Sequence, residues 1–344
     1  MRYLLILLFT LSVLAQPQRK IVRIGGGDDG ERTRDWPKLE QKADAFAAID
    51  ALATELAKRD LYSGALLLAK DGKPQFVKAY GKGIDDGTKF NIGSINKVFT
   101  QVALMQLRDA GKLDFSKTLR TYLPDYPSKI ADQITIQQLM EHSSGMGDIF
   151  GPAFREQHAS LNTLQDYQKL FVNEPLEFEP GTRRRYSNAG YVVLGLVIET
   201  VSGKSYYDYV RENIYKPAGM QESDAYALAE KTPNRAVGMT GEPNARQAND
   251  AFLPARGSSA GGGYSTVHDL LRFTNALPKL LSAKSYDAFV GPHPGIGWGG
   301  GTAGANAVIE LEGPYTIIVL SNYDPPSAEY LGRQMRTALG LGTE

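Results

Sequence analysis

The chain has 344 residues, enough to bury a sizeable core as one large two-part domain or as two ordinary domains. Its 38 Lys and Arg residues balance its 38 Asp and Glu residues, so no net basic field would attract nucleic acid or anionic lipid, and we expect a small-molecule partner. The absence of cysteine excludes thiol catalysis, disulfides and a lipid-modified cysteine.

The first 15 residues have the pattern of a secretory signal peptide. One Arg precedes an apolar run from Leu4, and residues 13–15 place the cleavage site before Gln16. The apolar run is shorter than the roughly 20 residues that span a bilayer, which favours cleavage over an uncleaved anchor. We therefore expect a periplasmic or secreted protein with no stable membrane span after cleavage. The Gly- and Arg-containing segment 16–35 predicts a flexible lead-in.

The folded part is expected from residue 36 onward, and both of its ends predict strands and helices. Residues 40–58 have apolar side chains at helical spacing, and two strand-like segments flank the hairpin signal Asp71-Gly72. Elements of the same kind follow at the C-terminal end, with strands at 306–311 and 315–321 and a closing helix at 327–339. We expect these pieces to form one antiparallel sheet flanked by N- and C-terminal helices.

The middle of the chain predicts helices at 94–110, 164–172, 191–201, 206–215 and 266–277. Such a block between two halves of a sheet suggests a mostly helical domain inserted into an α/β domain. The predicted fold class is therefore α+β. Within a catalytic domain at 36–344, residues 36–93 and 290–344 form the α/β part, and residues 94–289 form the helical part.

Ser94 and Lys97 form the single Ser-x-x-Lys sequence in the chain, at the start of a predicted helix. Residues three apart share a helix face with Cβ atoms about 5–6 Å apart, so the amine can reach the hydroxyl. A lysine pKa of about 10.4 must fall by about 3 units, roughly 4 kcal/mol, to give a base at neutral pH, and burial can do this. The alternative is a capping serine beside a lysine that extends to solvent.

Tyr186 and Asn188 form the single Tyr-x-Asn sequence, on a loop before the helix predicted near residue 191. The phenol can relay a proton, and the amide can orient Lys97 and hold a substrate carbonyl. A packed tyrosine followed by a helix-capping asparagine is the alternative.

A third motif, Trp298-Gly299-Gly300-Gly301, precedes the strand predicted at residue 306. Glycines allow close approach of a substrate and leave an N–H group for an oxyanion hole. No Gly-Lys-Ser/Thr follows, so a phosphate-binding loop is excluded. The alternative is a plain glycine-rich edge.

In this order, the motifs resemble those of the serine penicillin-recognising hydrolases, which include class C β-lactamases, D-Ala-D-Ala carboxypeptidases and β-lactamase-like esterases. The similarity extends to ITIQQLMEHSSGM at 134–146, PGTRRRYSNAG at 180–190 and SAGGGYST at 259–266.

The resemblance implies a β-lactamase/transpeptidase-like fold and an acyl-enzyme mechanism without a metal or organic cofactor. It implies Ser94 as nucleophile, Lys97 as its base or the group that tunes it, and Tyr186 as proton relay. The N–H groups of Ser94 and Gly301 would form the oxyanion hole. Whether Lys97 or an ionised Tyr186 takes the first proton stays open, because the two groups are coupled.

One departure from this family pattern bears on the substrate. Lactamases and carboxypeptidases of the group have Lys-Thr-Gly or His-x-Gly where this chain has Trp298-Gly299-Gly300. The cation that would face a substrate carboxylate is missing, and an indole offers one donor and an apolar face. We expect Asn188, Trp298, Gly299 and Gly300 to bind substrate, and we favour an ester or amide, esters first, over β-lactams and D-alanyl peptides. Arg183–185 could restore the charge but are expected to be solvated.

Three rival interpretations are weaker. Gly-x-Ser-x-Gly around Ser259, with Asp287 and His293, would suit an α/β-hydrolase, but no apolar strand precedes it and the next helix is delayed to Thr266. A metallohydrolase is the second rival. His142, at a helix end, is expected to make a structural hydrogen bond, and the other histidines lack metal-ligand spacing. A non-catalytic envelope-binding protein would not need the protonic residues that are all present. The natural substrate and the oligomeric state stay open.

Overall fold

The structure is a computed structural model that describes residues 20–22, 33–41, 43–291 and 295–341. The predicted signal peptide at 1–15 lies outside these ranges, and so does most of the predicted lead-in. Within that lead-in, Lys20–Val22 forms a short strand at the edge of the main sheet.

The described ranges contain strands and helices throughout the chain. The strands are β1 (Lys20–Val22), β2 (Gly64–Lys70), β3 (Lys73–Tyr80), β4 (Phe90–Asn91), β5 (Met239–Thr240), β6 (Gln247–Ala248), β7 (Tyr264–Ser265), β8 (Gly295–Thr302), β9 (Ala305–Glu312) and β10 (Tyr315–Ser321). The α-helices are α1 (Ala45–Lys58), α2 (Asn96–Asp109), α3 (Ser128–Ala131), α4 (Ile136–Met140), α5 (Pro152–Gln157), α6 (Leu164–Gln168), α7 (Asn188–Ser202), α8 (Tyr206–Val210), α9 (Lys216–Ala218), α10 (Val267–Leu280), α11 (Ala283–Val290) and α12 (Ser327–Ala338). Short 3-10 helices and one π-helical segment complete the set, at Gly93–Ile95, Leu119–Thr121, His158–Ser160, Asp250–Phe252 and Arg211–Tyr215.

Six strands form one sheet in the order β1-β8-β9-β10-β2-β3, in which β1 is parallel to β8 and all other neighbours are antiparallel. The β2–β3 turn consists of Asp71 (φ 50°) and Gly72 (φ 71°). Two consecutive left-handed residues give the tight turn that matches the twist of a hairpin. The hairpin predicted from Asp71-Gly72 is confirmed.

The sheet separates two apolar layers, because alternate side chains of a strand point to opposite faces. Leu66, Leu68, Ile317 and Val319 of β2 and β10 pack with helices α1 and α12 on one face. Their neighbours in the same strands, such as Leu67, face the inserted helical part. The predicted α+β arrangement, an antiparallel sheet with N- and C-terminal helices and a mostly helical insertion, is confirmed.

Helices α2 and α7 form the centre of the helical part and pack against each other. Every residue of α7 from Asn188 to Ile198 is buried, so neighbouring elements cover this helix on all sides. Ser187 caps it by accepting a hydrogen bond from the Gly190 N–H at 2.9 Å, and Gly203 ends it in a left-handed conformation. These signals fix Asn188 as the first residue of α7.

Several predicted helices differ in detail from the observed ones. The helix predicted at 164–172 is shorter, because α6 ends at Gln168. The helix predicted at 94–110 begins as the 3-10 turn Gly93–Ile95 and continues as α2. The helix predicted at 206–215 divides into α8 and the π-helical segment Arg211–Tyr215. Across the described ranges, no helix is long and apolar enough to cross a bilayer.

Candidate active site

Ser94, Lys97 and Tyr186 converge at the junction of the sheet and the helical part. The Nζ of Lys97 donates a hydrogen bond to Ser94 Oγ at 3.2 Å. Ser94 Oγ and Tyr186 Oη lie 2.7 Å apart, although the two residues are 92 positions apart in sequence. The structure therefore brings together the two motifs that the sequence singled out, with the serine hydroxyl between an amine and a phenol.

Lys97 is fully buried, at 0% exposure. Its Nζ also donates to Asn188 Oδ1 at 2.8 Å and to the Ala260 carbonyl. The ring centroids of Tyr186 and Tyr191 lie 4.7 and 5.3 Å from Nζ. The amine is thus held by fixed acceptors and aromatic faces in place of water.

This environment changes the protonation of Lys97. Burial lowers its pKa to about 7, because the ammonium ion loses its hydration, and the negative charge of Asp148 opposes part of that change. A substantial fraction of the molecules therefore has a neutral amine near neutral pH. A neutral lysine can accept a proton, which an ordinary lysine cannot do at this pH.

Asp148 orients Asn188. Both carboxylate oxygens of Asp148 accept hydrogen bonds from Asn188 Nδ2, at 3.0 and 2.9 Å. With the amide nitrogen committed to Asp148, Asn188 Oδ1 faces Lys97. Sequence reasoning did not identify Asp148, which is 40 residues from Asn188. Its only signal was its position two residues after the family-like segment 134–146.

The rings of Tyr186 and His142 pack against each other next to the amine. Burial raises the pKa of Tyr186 well above its ordinary value, and its hydrogen bond to Ser94 offsets part of this rise. The His142 ring lies 4.6 Å from that of Tyr186, and its Nδ1 accepts a hydrogen bond from the Ser187 N–H at 3.2 Å. Burial and nearby positive charge, first that of Lys97, lower the pKa of His142 to about 3. His142 thus makes the predicted structural hydrogen bond as a neutral ring.

The glycines of β8 pass directly beside Ser94. A Cβ atom on Gly300 would lie 2.2 Å from the Ile92 carbonyl oxygen and 2.9 Å from the Ser94 nitrogen. A Cβ atom on Gly93, which has φ 51°, would lie 2.7 Å from the Gly301 nitrogen. Any larger residue at these positions would separate the strand from the start of α2. The backbone nitrogens of Ser94 and Gly301 therefore belong to two segments in direct contact.

The strand register directs the Gly301 N–H out of the β8–β9 ladder. Thr302 pairs with Ala305 across a two-residue turn, so the next pair, Gly301 and Asn306, is of the type that does not exchange backbone hydrogen bonds. The Asn306 side chain donates to the Gly300 carbonyl at 3.1 Å and accepts from the Ala328 N–H at 2.7 Å. These bonds tie the glycine strand to the start of α12.

A pocket of about 320 Å³ opens in front of Ser94. Tyr186, Asn188 and Gly301 line it together with Ser94. Much of the remaining wall is apolar and includes Ile149, Phe150, Phe154, Tyr167, Phe252 and Leu253. Among the described residues that line it there is no Lys, Arg or His.

Trp298 does not contact this pocket, contrary to the expectation that it binds substrate there. Its side chain is 3% exposed and stacks on Phe289 of α11 at 5.5 Å. Alternate residues of β8 share a face, so Trp298 points with Ile296 into the helical part. Both line a separate cavity of about 870 Å³. Arg184 lines that second cavity as well.

The remaining predicted residues are also placed by the structure. Gly299 and Gly300 are not among the residues that line the Ser94 pocket. Gly300 instead allows β8 to approach the Ser94 segment closely, whereas a Cβ atom on Gly299 would meet only the Glu329 side chain, at 3.3 Å. Arg183–185 are exposed, as expected, and Arg185 forms an ion pair with Glu177.

Ser259, the rival nucleophile, is fully buried and donates a hydrogen bond to the Tyr191 carbonyl at 2.8 Å. It lies in a tight turn in which the Ser258 N–H bonds to Gly261, so it does not occupy a strand-to-helix elbow. Asp287 lies in α11, and His293 is outside the described residues. In the part of the chain that the structure describes, no three His, Asp or Glu side chains gather where they could bind a metal ion.

Comparisons with known proteins agree with this architecture. The Beta-lactamase family model matches residues 48–341. The putative penicillin-binding protein PbpX of Bacillus subtilis (strain 168) is 31% identical over 243 residues, which cover 67% of this chain and 59% of that protein.

Two solved structures show the same fold. A penicillin binding protein from Bacillus halodurans has a TM-score of 0.74 at 28% identity, covering 85% of this chain and 98% of the other. A D-stereospecific amidohydrolase from Streptomyces sp. has a TM-score of 0.71 at 23% identity, covering 87% and 99%. Because the family match spans most of the sequence and the fold agrees with it, the chain belongs to the Beta-lactamase family of serine hydrolases.

Proposed function

We propose that the protein hydrolyses esters through an acyl-enzyme on Ser94. The observation that supports this most directly is the position of Ser94 Oγ, at hydrogen-bond distance from both Lys97 Nζ and Tyr186 Oη at the base of a pocket. A serine hydroxyl is a weak nucleophile until an adjacent base removes its proton. The neutral amine of Lys97 is suited to that task at neutral pH.

The first half of the reaction forms the acyl-enzyme. Lys97 accepts the Ser94 proton, directly or through the Tyr186 phenol, and Oγ attacks the ester carbonyl carbon. The N–H groups of Ser94 and Gly301 stabilise the negative oxygen that develops. The bond from the carbonyl carbon to the alcohol oxygen then breaks, and the alcohol leaves with the proton that Lys97 held. The raised pKa of Tyr186 supports Lys97, and not a tyrosinate, as the first acceptor.

The second half restores the enzyme. Water gives a proton to Lys97, directly or through Tyr186, and its oxygen attacks the acyl carbon. The bond to Ser94 Oγ breaks, the carboxylic acid leaves, and the proton returns to Ser94.

The charge of the pocket supports uncharged esters over β-lactams and D-alanyl peptides. The described residues around the pocket offer no cationic side chain, and the nearby Lys97 amine already donates to Asn188 and Ala260. A substrate carboxylate would lose hydration there without gaining a charged partner. The indole of Trp298 lies outside the pocket and does not contact the substrate there. Trp298 supports the preference only because it stands where related enzymes have a Lys or His.

The main alternative is a β-lactamase or D-alanyl peptidase, an activity class suggested by the names of the penicillin-binding relatives. A non-catalytic binding protein is disfavoured, because the serine, lysine and tyrosine keep their mutual hydrogen bonds.

We also propose export, on the basis of the pattern in residues 1–15. An N-terminus at Gln16 in the mature protein is the result that would support it.

The test is a side-by-side assay with a short-chain nitrophenyl ester, a chromogenic cephalosporin and a D-alanyl dipeptide. We expect a stoichiometric nitrophenol burst with the ester, lost in Ser94→Ala and kept in the control Ser259→Ala. Efficient cephalosporin turnover would overturn the ester preference. A burst that survives in Ser94→Ala would overturn the choice of nucleophile.

A further inference from the structure

The two most exposed large apolar side chains of the described ranges both line the Ser94 pocket. Phe252 is 60% exposed and Phe150 is 59% exposed. The other large apolar side chains in this class, Val237 and Phe46, do not line this pocket. Apolar surface left in water beside a cleft marks a site that contacts a ligand.

The apolar surface continues from these two rings into the pocket. Phe154 packs edge-on against Phe150, with ring centroids 4.9 Å apart. The Tyr167 hydroxyl donates to the Arg256 carbonyl at 2.5 Å, so the polar atom of this ring is satisfied away from any ligand. The wall can therefore contact hydrocarbon without leaving an unpaired polar group.

Both loops that present the phenylalanines are anchored. The Phe150 N–H donates to Asp148 Oδ1 at 3.1 Å, and the same carboxylate holds Asn188. On the other loop, Asn249 Nδ2 donates to the Ala303 carbonyl at 2.6 Å. A wall fixed in this way requires little ordering when a ligand binds.

We infer that this pocket binds the acyl chain of the substrate, and that the preferred substrates are esters whose acyl chain is uncharged and contains several methylene groups. This inference rests on the proposed function and names its substrate class. The acyl carbon stays bonded to Ser94 between the two half-reactions, whereas the alcohol must leave. An apolar surface next to Ser94 therefore suits the acyl chain, and the volume of about 320 Å³ limits its length.

The effect expected from each methylene follows from the burial of hydrocarbon. Each methylene that enters the pocket should raise kcat/KM about fourfold. Four additional methylenes, from acetate to hexanoate, should therefore give a gain of about 250-fold if all four enter the pocket.

The experiment measures kcat/KM with nitrophenyl acetate, butyrate and hexanoate for the wild type, Phe150→Ala and Phe252→Ala. Phe46→Ala is the matched control, because Phe46 is an exposed phenylalanine on α1, where it stacks on Phe76. We expect Phe150→Ala and Phe252→Ala each to lose about tenfold on hexanoate and less than twofold on acetate. Phe46→Ala should match the wild type on all three esters.

Other results would overturn the inference. A flat wild-type series, or an equal loss on acetate and hexanoate in the phenylalanine variants, would show that the acyl chain does not use this wall. The inference also fails if kcat/KM rises steeply with the length of the alcohol chain, in ethyl, butyl and hexyl acetate, and not with the length of the acyl chain. If acetate still gives a burst that Ser94→Ala abolishes, the proposed function stands and only the acyl-chain inference fails. If no ester acylates Ser94, both fail.

Discussion

Replacing Lys97 with Met should make the stability difference between the two proteins depend on pH. Burial lowers the pKa of Lys97 from its ordinary 10.5 to about 7 in the folded protein. Between these values the unfolded chain binds a proton that the folded protein does not bind. Stability rises with pH wherever the unfolded state binds more protons, so the wild type should gain stability as pH rises above 7. Met has no ionisable group, so Lys97→Met removes this contribution to the pH dependence of stability.

The linkage relation gives the magnitude. With pKa values of about 7 folded and 10.5 unfolded, the free energy of unfolding gains about 2 kcal/mol between pH 7 and pH 9 from this group alone. Met also loses the hydrogen bonds to Asn188 and Ala260. That loss is the same at both pH values. It therefore does not affect the change, between pH 7 and pH 9, in the difference in unfolding free energy between the wild type and the variant.

The assay is urea unfolding of the wild type and Lys97→Met at the two pH values. The exposed Lys82, as Lys82→Met, controls for the loss of a lysine in general. We expect the difference in unfolding free energy to change by about 2 kcal/mol in favour of the wild type at pH 9. A difference that stays constant would show that Lys97 is charged in the folded protein at both pH values, and Lys97 could then not serve as a base near neutral pH.

Two further predictions concern catalysis. The carboxylate of Asp148 raises the pKa of Lys97, so in Asp148→Asn the acid limb of the pH profile of kcat/KM, near pH 7 in the wild type, should move to lower pH. An unchanged limb contradicts this coupling. A Cβ atom in Gly300→Ala would lie 2.2 Å from the Ile92 carbonyl oxygen, so the strand must move away from Ser94 and kcat should fall on the order of 100-fold. Near-wild-type kcat in a folded variant would show that the strand position is not needed.

The sequence predicted those parts of the molecule that local signals determine. Asp71-Gly72 specifies a tight hairpin by the conformations its residues accept. The spacing of Ser94 and Lys97 places both side chains on one helix face, which needs only the helix itself. The contact between Ser94 and Tyr186 had no local signal in the sequence, and it was expected from the family resemblance.

The rest depends on contacts between distant segments. Lys97 bonds to the backbone carbonyl of Ala260, and a carbonyl has no side-chain signature in a sequence. Asp148 acquires its role only through the fold, which brings it to Asn188. For Trp298, its position within the motif suggested substrate binding, whereas strand alternation, the stronger constraint, directs it with Ile296 into the core.

The proposed mechanism requires that Ser94 becomes acylated. The direct measurement is peptide mapping by mass spectrometry after an acid quench during the burst with a nitrophenyl ester. We expect one acyl group, on the peptide that contains Ser94, and none in Ser94→Ala. An acyl group on the Ser259 peptide, or rapid ester turnover with no acyl-enzyme at any time, would contradict it.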